Sequence, residues 1–224
     1  MNILVLGKGK TGSLVAEVAR ERGHAVDALD VSDNQNGAAL TAERLAGVDA
    51  VIDFTAPEAA VANITAVLNA GNRIVVGTTG WYAHLPALRE LAKARGALLY
   101  GSNFSIGVQK LFRLTAALAR LQGYTFSIDE THHVTKLDAP SGTALTLKEI
   151  ILQSQPHAVV EVTSHRIADA KGEHIVRAQS DVDVLEVRHD ANSRRGFALG
   201  AVRAAEWVAD KQGCWEFREI FDAL

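Results

Sequence analysis

The chain places two histidines and a lysine close together, at His132, His133 and Lys136. Histidine has an unperturbed pKa of about 6.5, so an imidazole can donate and recover a proton near neutral pH. The lysine ammonium adds a compact positive charge beside the two rings, which favours binding of an anion. The spacing therefore predicts a site at which a small anion receives a proton.

A predicted helix begins directly after this group. The run Pro140-Ser141-Gly142-Thr143 precedes a stretch with helical apolar periodicity at 144–151. Ser141 or Thr143 is the predicted N-cap, because a hydroxyl side chain can accept from the first backbone N–H groups of a helix. N–H groups that face outward at such a helix start favour a carboxylate. A carboxylate-bearing ligand fits both features.

A metal site is the alternative function for paired histidines. Adjacent residues on a strand point to opposite faces, so His132 and His133 would not readily bind one ion. The remaining histidines show no tight ligand spacing, at His24, His84, His157, His165, His174 and His189. The sequence therefore predicts no metal site.

The first predicted strand runs directly into a glycine-rich turn with the pattern G-x-G-x-x-G. The pattern consists of Gly7, Lys8, Gly9, Lys10, Thr11 and Gly12. Its glycines permit a tight turn and a close approach of the backbone to a pyrophosphate at the N-terminus of the following helix. Asp30 ends the second predicted strand, where a carboxylate can accept hydrogen bonds from a ribose 2′-hydroxyl. The position of the motif predicts a bound dinucleotide, NADH or NADPH.

The choice between the two nucleotides stays open. Asp30 favours NADH, because its carboxylate would repel a 2′-phosphate. Lys8 and Lys10 favour NADPH if either reaches a phosphate; the alternative is that both are solvated surface lysines.

Two further loops follow predicted strands of the same sheet. They are Gly77-Thr78-Thr79-Gly80 and Gly101-Ser102-Asn103-Phe104. Ligands of open α/β sheets lie at the carboxyl ends of the strands, so these loops are candidates for binding the nicotinamide ribose and ring. Ordinary turns are the alternative interpretation.

Strand and helix patterns alternate up to residue 103, which predicts an α/β fold with an N-terminal Rossmann-type parallel sheet. After residue 103 the order of predicted strands and helices changes, and a strand at Tyr124–Thr131 leads to the histidines. This pattern predicts a second α+β domain carrying an open mixed sheet. A helix from Arg195 and a strand or short helix at Cys214–Ile220 end the chain. We assign 1–103 plus 195–224 to a dinucleotide-binding domain and 104–194 to a substrate-binding and oligomerisation domain. Residues near 104 and 194 are the candidate hinges.

The composition is that of an ordinary globular protein, with 48% hydrophobic and 22% charged residues in 224. A formal net charge of -3 and scattered basic residues argue against a nucleic-acid partner. No apolar run approaches the roughly 18 residues of a membrane span, and the first residues do not resemble a signal peptide. We expect a cytoplasmic protein, with Cys214 as a structural thiol.

Taken together, the motifs resemble the dihydrodipicolinate reductase family, also called 4-hydroxy-tetrahydrodipicolinate reductases, of the diaminopimelate route to lysine. The resemblance runs nearly end to end, and the segment E-x-H-H-x-x-K-x-D-x-P-S-G-T-A at 130–144 is its most specific part. Other segments that carry it are 7–12, 53–57, 77–81 and 103–108.

The resemblance implies an NAD(P)H-dependent oxidoreductase that reduces 4-hydroxy-tetrahydrodipicolinate and forms a homotetramer through the sheet of its second domain. It implies that His132 is the catalytic acid/base and Lys136 a second proton donor. We expect the substrate dicarboxylate to bind at His133, Ser141, Gly142 and Thr143. The resemblance also implies that the cofactor site is lined by the glycine turn, Asp30, Gly77 to Thr79 and Gly101 to Phe104. A reductase of another small imine or keto acid, and a non-catalytic dinucleotide-sensing module, are the alternative functions.

Overall fold

The computed structural model describes all residues from Met1 to Leu224. Its strands are β1 Asn2–Leu6, β2 Ala25–Leu29, β3 Ala50–Asp53, β4 Arg73–Val76, β5 Ala97–Tyr100, β6 Thr125–His132, β7 Val160–Arg166, β8 Glu173–Gln179, β9 Val184–Asp190 and β10 Gly213–Glu216. Its α-helices are α1 Lys10–Glu21, α2 Ala42–Leu45, α3 Pro57–Asn69, α4 Leu85–Arg95, α5 Ile106–Leu118, α6 Gly142–Ser154, α7 Arg195–Val208 and α8 Phe217–Ile220. None of the helices combines the length and hydropathy that crossing a bilayer requires.

The chain divides into two units, one formed by Met1–Ser105 with Arg195–Leu224 and the other by Ile106–Arg194. The first unit contains a six-stranded sheet in the order β10-β5-β4-β3-β1-β2. All of its strand pairs are parallel. Every residue of β3 and β5 is buried, as expected for strands covered by helices on both faces.

Successive side chains of each strand point to opposite faces of this sheet, and each face packs into its own core. Leu4 and Leu6 of β1 belong to a core with apolar residues of α3 and α4. Ile3 and Val5 point to the opposite face. Helices α1 and α7 contact each other and the strands, so they form the second layer. The carboxyl ends of the strands are thereby held in one row.

The second unit contains a four-stranded sheet in the order β7-β6-β8-β9. Strand β6 pairs in parallel with β7 and antiparallel with β8, and β8 pairs antiparallel with β9, so the sheet is mixed. Apolar residues of α5 and α6 form one core with buried residues of β6 to β8. Residues of β6 alternate between buried and more exposed positions, which is the pattern of a sheet with one covered face.

The predicted fold class is confirmed, with a parallel Rossmann-type sheet and a second mixed sheet. Two details differ. The short helix α2 was not predicted, because four residues provide too little periodicity to detect. The segment predicted as a strand or a short helix after Cys214 contains both, β10 and α8.

Candidate functional site

In the second unit, strand β6 carries a polar pair on its buried face. Phe126 and Ile128 point into the core, and Glu130 and His132 continue the same alternation. Glu130 is 0% exposed and His132 9% exposed. A carboxylate and an imidazole at the end of an apolar row need specific partners, because burial of an unpaired polar group is unfavourable.

The partners of Glu130 come from two other segments, the start of α6 and strand β7. The Ser141 N–H donates to its two carboxylate oxygens at 3.0 and 3.1 Å. Ser164 Oγ donates at 2.8 Å and Arg166 Nη2 at 3.2 Å, both to Oε1. Burial opposes the charge of this carboxyl, but the hydrogen bonds from Ser141 and Ser164 outweigh it and lower the pKa of Glu130. Glu130 is therefore an anion held in a fixed position.

His132 lies next to this anion. Its Nδ1 is 3.5 Å from Glu130 Oε2 and has no hydrogen-bond partner. Burial lowers the pKa of His132, and the charge of Glu130 acts in the opposite direction. An imidazole held this way can keep one nitrogen protonated toward the carboxylate and use the other to exchange a proton.

His174 of β8 is a site residue that sequence reasoning missed. It pairs with Glu130 across the antiparallel ladder, and its ring lies edge-on to His132 at 5.0 Å. Its Nε2 is 3.3 Å from Ser141 Oγ and 3.8 Å from Glu130 Oε2. Burial is the main cause that lowers the pKa of His174 to about 3, so this ring is neutral at ordinary pH.

Ligand atoms of Glu130, His132 and His174 lie within 4.8 Å of one another, and these residue types also bind zinc. The Arg166 guanidinium bonds to the same carboxylate, however, and its charge opposes a second cation there. We therefore interpret the cluster as a proton-handling site.

The remaining predicted residues of this unit lie in the loop after β6 and at the start of α6. Ser141 is the N-cap, because its Oγ accepts from the Ala144 N–H at 3.2 Å. Lys136 Nζ contacts the Asp138 carboxylate at 2.7 Å, and this ammonium is the main cause that lowers the pKa of Asp138. His133 Nδ1 is 2.7 Å from Thr135 Oγ1. Gly142 and Thr143 form the first turn of α6.

Arg166 stabilises this loop and is a second site residue that sequence reasoning missed. Its Nε donates to the Lys136 carbonyl at 3.2 Å, and its Nη2 donates to the Asp138 carbonyl. Arg166 is the last residue of β7 and lies beside the site because β7 pairs in parallel with β6, with Arg166 as the partner of His132. A long-range pairing of this kind leaves no spacing signal in the sequence.

In the first unit, the glycine-rich turn joins β1 to α1. Gly7 has a positive φ of 94°, which favours glycine. A Cβ atom at Gly7 would lie 2.5 Å from the Phe54 carbonyl oxygen. At Gly9 such an atom would meet nothing within 4 Å. The turn therefore exposes backbone at Gly9, next to the start of α1, where an anionic ligand can approach.

A cavity of about 200 Å³ lies beside this turn, between the ends of β1, β2 and β3. This is the point where the strand order reverses around β1, the usual ligand position in open α/β sheets. Gly7, Gly9, Asp30, Asn34 and Thr55 are among its lining residues. Lys8, one of the two lysines considered for contact with a phosphate, forms an ion pair with Asp33 at 3.1 Å, whereas Lys10 and Thr11 begin α1.

The loops after β4 and β5 lie at the same edge. Gly77 donates its N–H to the Asp53 carbonyl, and a Cβ at Gly77 would overlap the Phe54 ring. Thr78 is buried and Thr79 exposed. In the loop after β5, Gly101 donates its N–H to the Val76 carbonyl. Ser102 is exposed, Asn103 Oδ1 accepts from the Ser105 N–H at 2.8 Å, and Phe104 is buried 6.2 Å from the Phe54 ring.

Asp53, beneath this edge, is fully buried and is the centre of a hydrogen-bond network. Its carboxylate accepts from Thr55 N at 2.8 Å, Asn63 Nδ2 at 2.9 Å and Thr78 Oγ1 at 3.2 Å. Burial raises the pKa of Asp53, against the effect of these bonds. The network connects a residue of the cavity, Thr55, with the loop after β4.

Known protein families match the chain in two parts. A family profile described as "Dihydrodipicolinate reductase, N-terminus" matches residues 1–104, and one described as "Dihydrodipicolinate reductase, C-terminus" matches residues 107–221. A 4-hydroxy-tetrahydrodipicolinate reductase of Christiangramia forsetii is 36% identical over 240 residues, covering 100% of this chain and 99% of the relative. The enzyme of the same name from Natronomonas pharaonis is 38% identical over 239 residues, covering 96% and 97%.

Among solved structures, a dipicolinate-bound dihydrodipicolinate reductase from Paenisporosarcina sp. TG-14 has a TM-score of 0.82 and 21% identity. The match covers 98% of this chain and 99% of that protein. At this identity the likeness shows the shared fold.

Proposed function

The chain belongs to the dihydrodipicolinate reductase family, and from this premise we propose that it reduces 4-hydroxy-tetrahydrodipicolinate to tetrahydrodipicolinate with NADH or NADPH. The reaction adds one hydride and one proton to the ring and releases water. It is a step of the diaminopimelate route to lysine. The observation that carries the proposal is the buried Glu130–His132 pair beside Lys136 and the N-terminus of α6, which provides a proton and binding groups for a dicarboxylate.

We propose that Met1–Ser105 with Arg195–Leu224 is the dinucleotide-binding domain. The glycine turn, Gly7 to Gly12, would hold the pyrophosphate, and the open backbone at Gly9 supports this, because nothing obstructs an approaching phosphate there. Asp30 lines the adjoining cavity, where a ribose would fit. Gly77 to Thr79 and Gly101 to Phe104 would line the nicotinamide half. When bound, the nucleotide supplies the hydride.

The residues of the second unit would bind the substrate and handle the proton. His132 donates the proton that completes the reduction, and Lys136 is a second proton donor that also attracts the carboxylates. His133, Ser141, Gly142 and Thr143 bind the dicarboxylate. The carboxylate of Asp138 already contacts Lys136, which supports a carboxylate-binding role for this cation. A substrate carboxylate would compete with Asp138 for it.

We further propose that Ile106–Arg194 is the substrate-binding and oligomerisation domain, with hinges near residues 104 and 194. The face of its sheet opposite α5 and α6 carries the less buried residues of β6. We propose that the subunits of a homotetramer contact each other through this face. Analytical ultracentrifugation tests the tetramer directly. Because the reaction belongs to amino-acid biosynthesis, we propose the cytoplasm as its compartment.

The test is an absorbance assay that follows the loss of NADH and of NADPH. The product of dihydrodipicolinate synthase serves as substrate, and simple keto acids serve as comparison substrates. The proposal predicts turnover with the synthase product and little with the keto acids. Turnover with a keto acid alone would favour a different reductase, and nucleotide binding without turnover would favour a sensing module.

Variants measured in this assay test the proposed roles of His132 and Lys136. His132→Ala should lower kcat by about 10²- to 10⁴-fold while nucleotide binding is unchanged. Lys136→Ala should lower kcat and raise KM for the substrate. His157→Ala is the matched control, because His157 is exposed and lies outside the site. Near-normal turnover of His132→Ala would contradict the assigned proton donor.

A further inference from the structure

We propose that Glu130 is a positioning residue for the proton donor, fixing the His132 ring with Nδ1–H toward its carboxylate and stabilising the protonated imidazole. This inference rests on the proposed role of His132. The same carboxylate accepts from the N–H of Ser141, the N-cap of α6, so one buried anion would organise both the proton donor and the helix start that is proposed to bind the dicarboxylate.

The carboxylate is suited to this role because it is rigidly held. It is fully buried and accepts from Ser141 N at the start of α6 and from Ser164 Oγ and Arg166 Nη2 of β7. Oε1 takes the bonds from Ser164 and Arg166. Oε2, which accepts from Ser141 N at 3.1 Å, is the oxygen that lies 3.5 Å from His132 Nδ1.

The tautomer of His132 follows from this geometry. Nδ1 is buried and lacks a hydrogen-bond partner, and Glu130 Oε2 is the acceptor beside it. A movement of about 0.5 Å would bring the pair within the usual N–H···O distance, and catalytic hydrogen bonds are often long before a substrate binds. With the proton on Nδ1 of the neutral ring, Nε2 is the nitrogen that exchanges a proton with the substrate.

Several charged or titratable groups face His132. They are Glu130 on its own strand, Lys136 and Asp138 in the following loop, Arg166 on β7 and His174 on β8. Burial, Lys136 and Arg166 favour the neutral ring, whereas Glu130 and Asp138 favour the charged one. Asp138 is more exposed than Glu130 and is paired with Lys136. Glu130 is therefore the buried group that opposes the lowering of the His132 pKa by burial and by the two cations.

A purely structural role for Glu130 is the competing explanation, because the carboxylate also anchors Ser141. The two explanations differ in the protonation of His132. A structural role predicts effects on stability and on α6, whereas the positioning role predicts a change in the tautomer and in the pKa of one imidazole.

The experiment is a pH titration of the full chain labelled with ¹⁵N-histidine, followed by NMR without nucleotide or substrate. In the unsubstituted protein the neutral His132 should carry its proton on Nδ1. Glu130→Gln should lower the pKa of His132 by about 1 to 3 units, because an opposite charge next to the ring is lost. The matched control is Asp129→Asn, which makes the same change one residue earlier, on the opposite face of β6.

The proposal would be overturned by an unchanged His132 pKa in a folded Glu130→Gln protein, or by an equal shift in Asp129→Asn. An Nε2–H tautomer in the unsubstituted protein would overturn it even if Glu130→Gln failed to fold.

A pH–rate profile separates this inference from the proposed function. If His132 is the proton donor, kcat/KM of Glu130→Gln should begin to fall at a pH lower by the shift that NMR measures, because both quantities report the free enzyme. A shifted NMR titration with an unchanged rate profile would show that Glu130 controls the protonation of His132, and it would overturn the proton-donor role of that ring.

Discussion

A Cβ atom on Gly12 would lie 1.8 Å from the carbonyl oxygen of Gly7. The first turn of α1 therefore packs directly on the backbone that leaves β1. Only glycine allows this approach, so the last glycine of the G-x-G-x-x-G pattern has a structural role that is separate from contact with a ligand.

Gly12→Ala should lower the free energy of unfolding by about 1–3 kcal/mol or more, because the added methyl group meets backbone that cannot move independently. Urea unfolding measures the change. Gly9→Ala is the comparison, since a Cβ there meets nothing within 4 Å. It should leave stability nearly unchanged but weaken nucleotide binding. Equal destabilisation by the two substitutions would contradict this division of roles.

Asp53→Ala should destabilise the first unit by about 2–5 kcal/mol, because the donors Thr55, Asn63 and Thr78 would lose their buried acceptor. Nucleotide affinity should fall as well, since Thr55 lines the cavity. Urea unfolding and a nucleotide titration give the two values. Asp49→Ala provides the control, as its carboxylate makes an exposed bond to Asn2 N and should cost less than about 1 kcal/mol. Similar losses for both aspartates would rule out a special role of the buried network.

The sequence predicted the features that depend on local pattern. Alternating strands and helices, the glycine turn at Gly7 and an N-cap at Ser141 or Thr143, which the structure places at Ser141, are all encoded within short windows. The partners of Glu130 are not, because Arg166 and His174 reach it through strand pairing between distant segments.

One signal for the buried cluster was nevertheless present. Phe126 and Ile128 alternate with polar residues, and the same alternation places Glu130 and His132 on the apolar face. Two polar residues in core positions at the end of a strand indicate a functional site. The neutral histidine opposite them could be recognised only after the register of β8 was known.

Ser141→Ala should cost about 0.5–2 kcal/mol, because Oγ accepts from the Ala144 N–H and lies 3.3 Å from His174 Nε2 in a buried environment. Thr41→Ala removes an N-cap of the same geometry, with the Arg44 N–H at 3.2 Å, but from an exposed helix of four residues. Its cost should be smaller. Thermal unfolding of both variants decides the point, and a larger loss at Thr41 would contradict the importance of the buried cap.

His174 should make the stability of the protein sensitive to acid. Its pKa is near 3 in the folded chain and about 6.5 when unfolded, so the unfolded state binds a proton that the folded state excludes. The free energy of unfolding should therefore fall as the pH decreases from about 6.5 toward 3, by up to roughly 1.4 kcal/mol per pH unit from this residue alone. Above about pH 6.5 the effect disappears.

His174→Gln removes this titration and should flatten the slope between pH 6.5 and 5, when unfolding free energies from urea titrations are compared with those of the unsubstituted protein. His157→Gln, at an exposed histidine, should leave the slope unchanged. The Glu130 carboxylate costs stability only below about pH 4.5, but His132 and His189, whose pKa values burial also lowers, contribute a term of the same sign in this pH range. That term is retained in His174→Gln, so a residual slope is expected. A slope equal to that of the unsubstituted protein would show that His174 is protonated in the folded state.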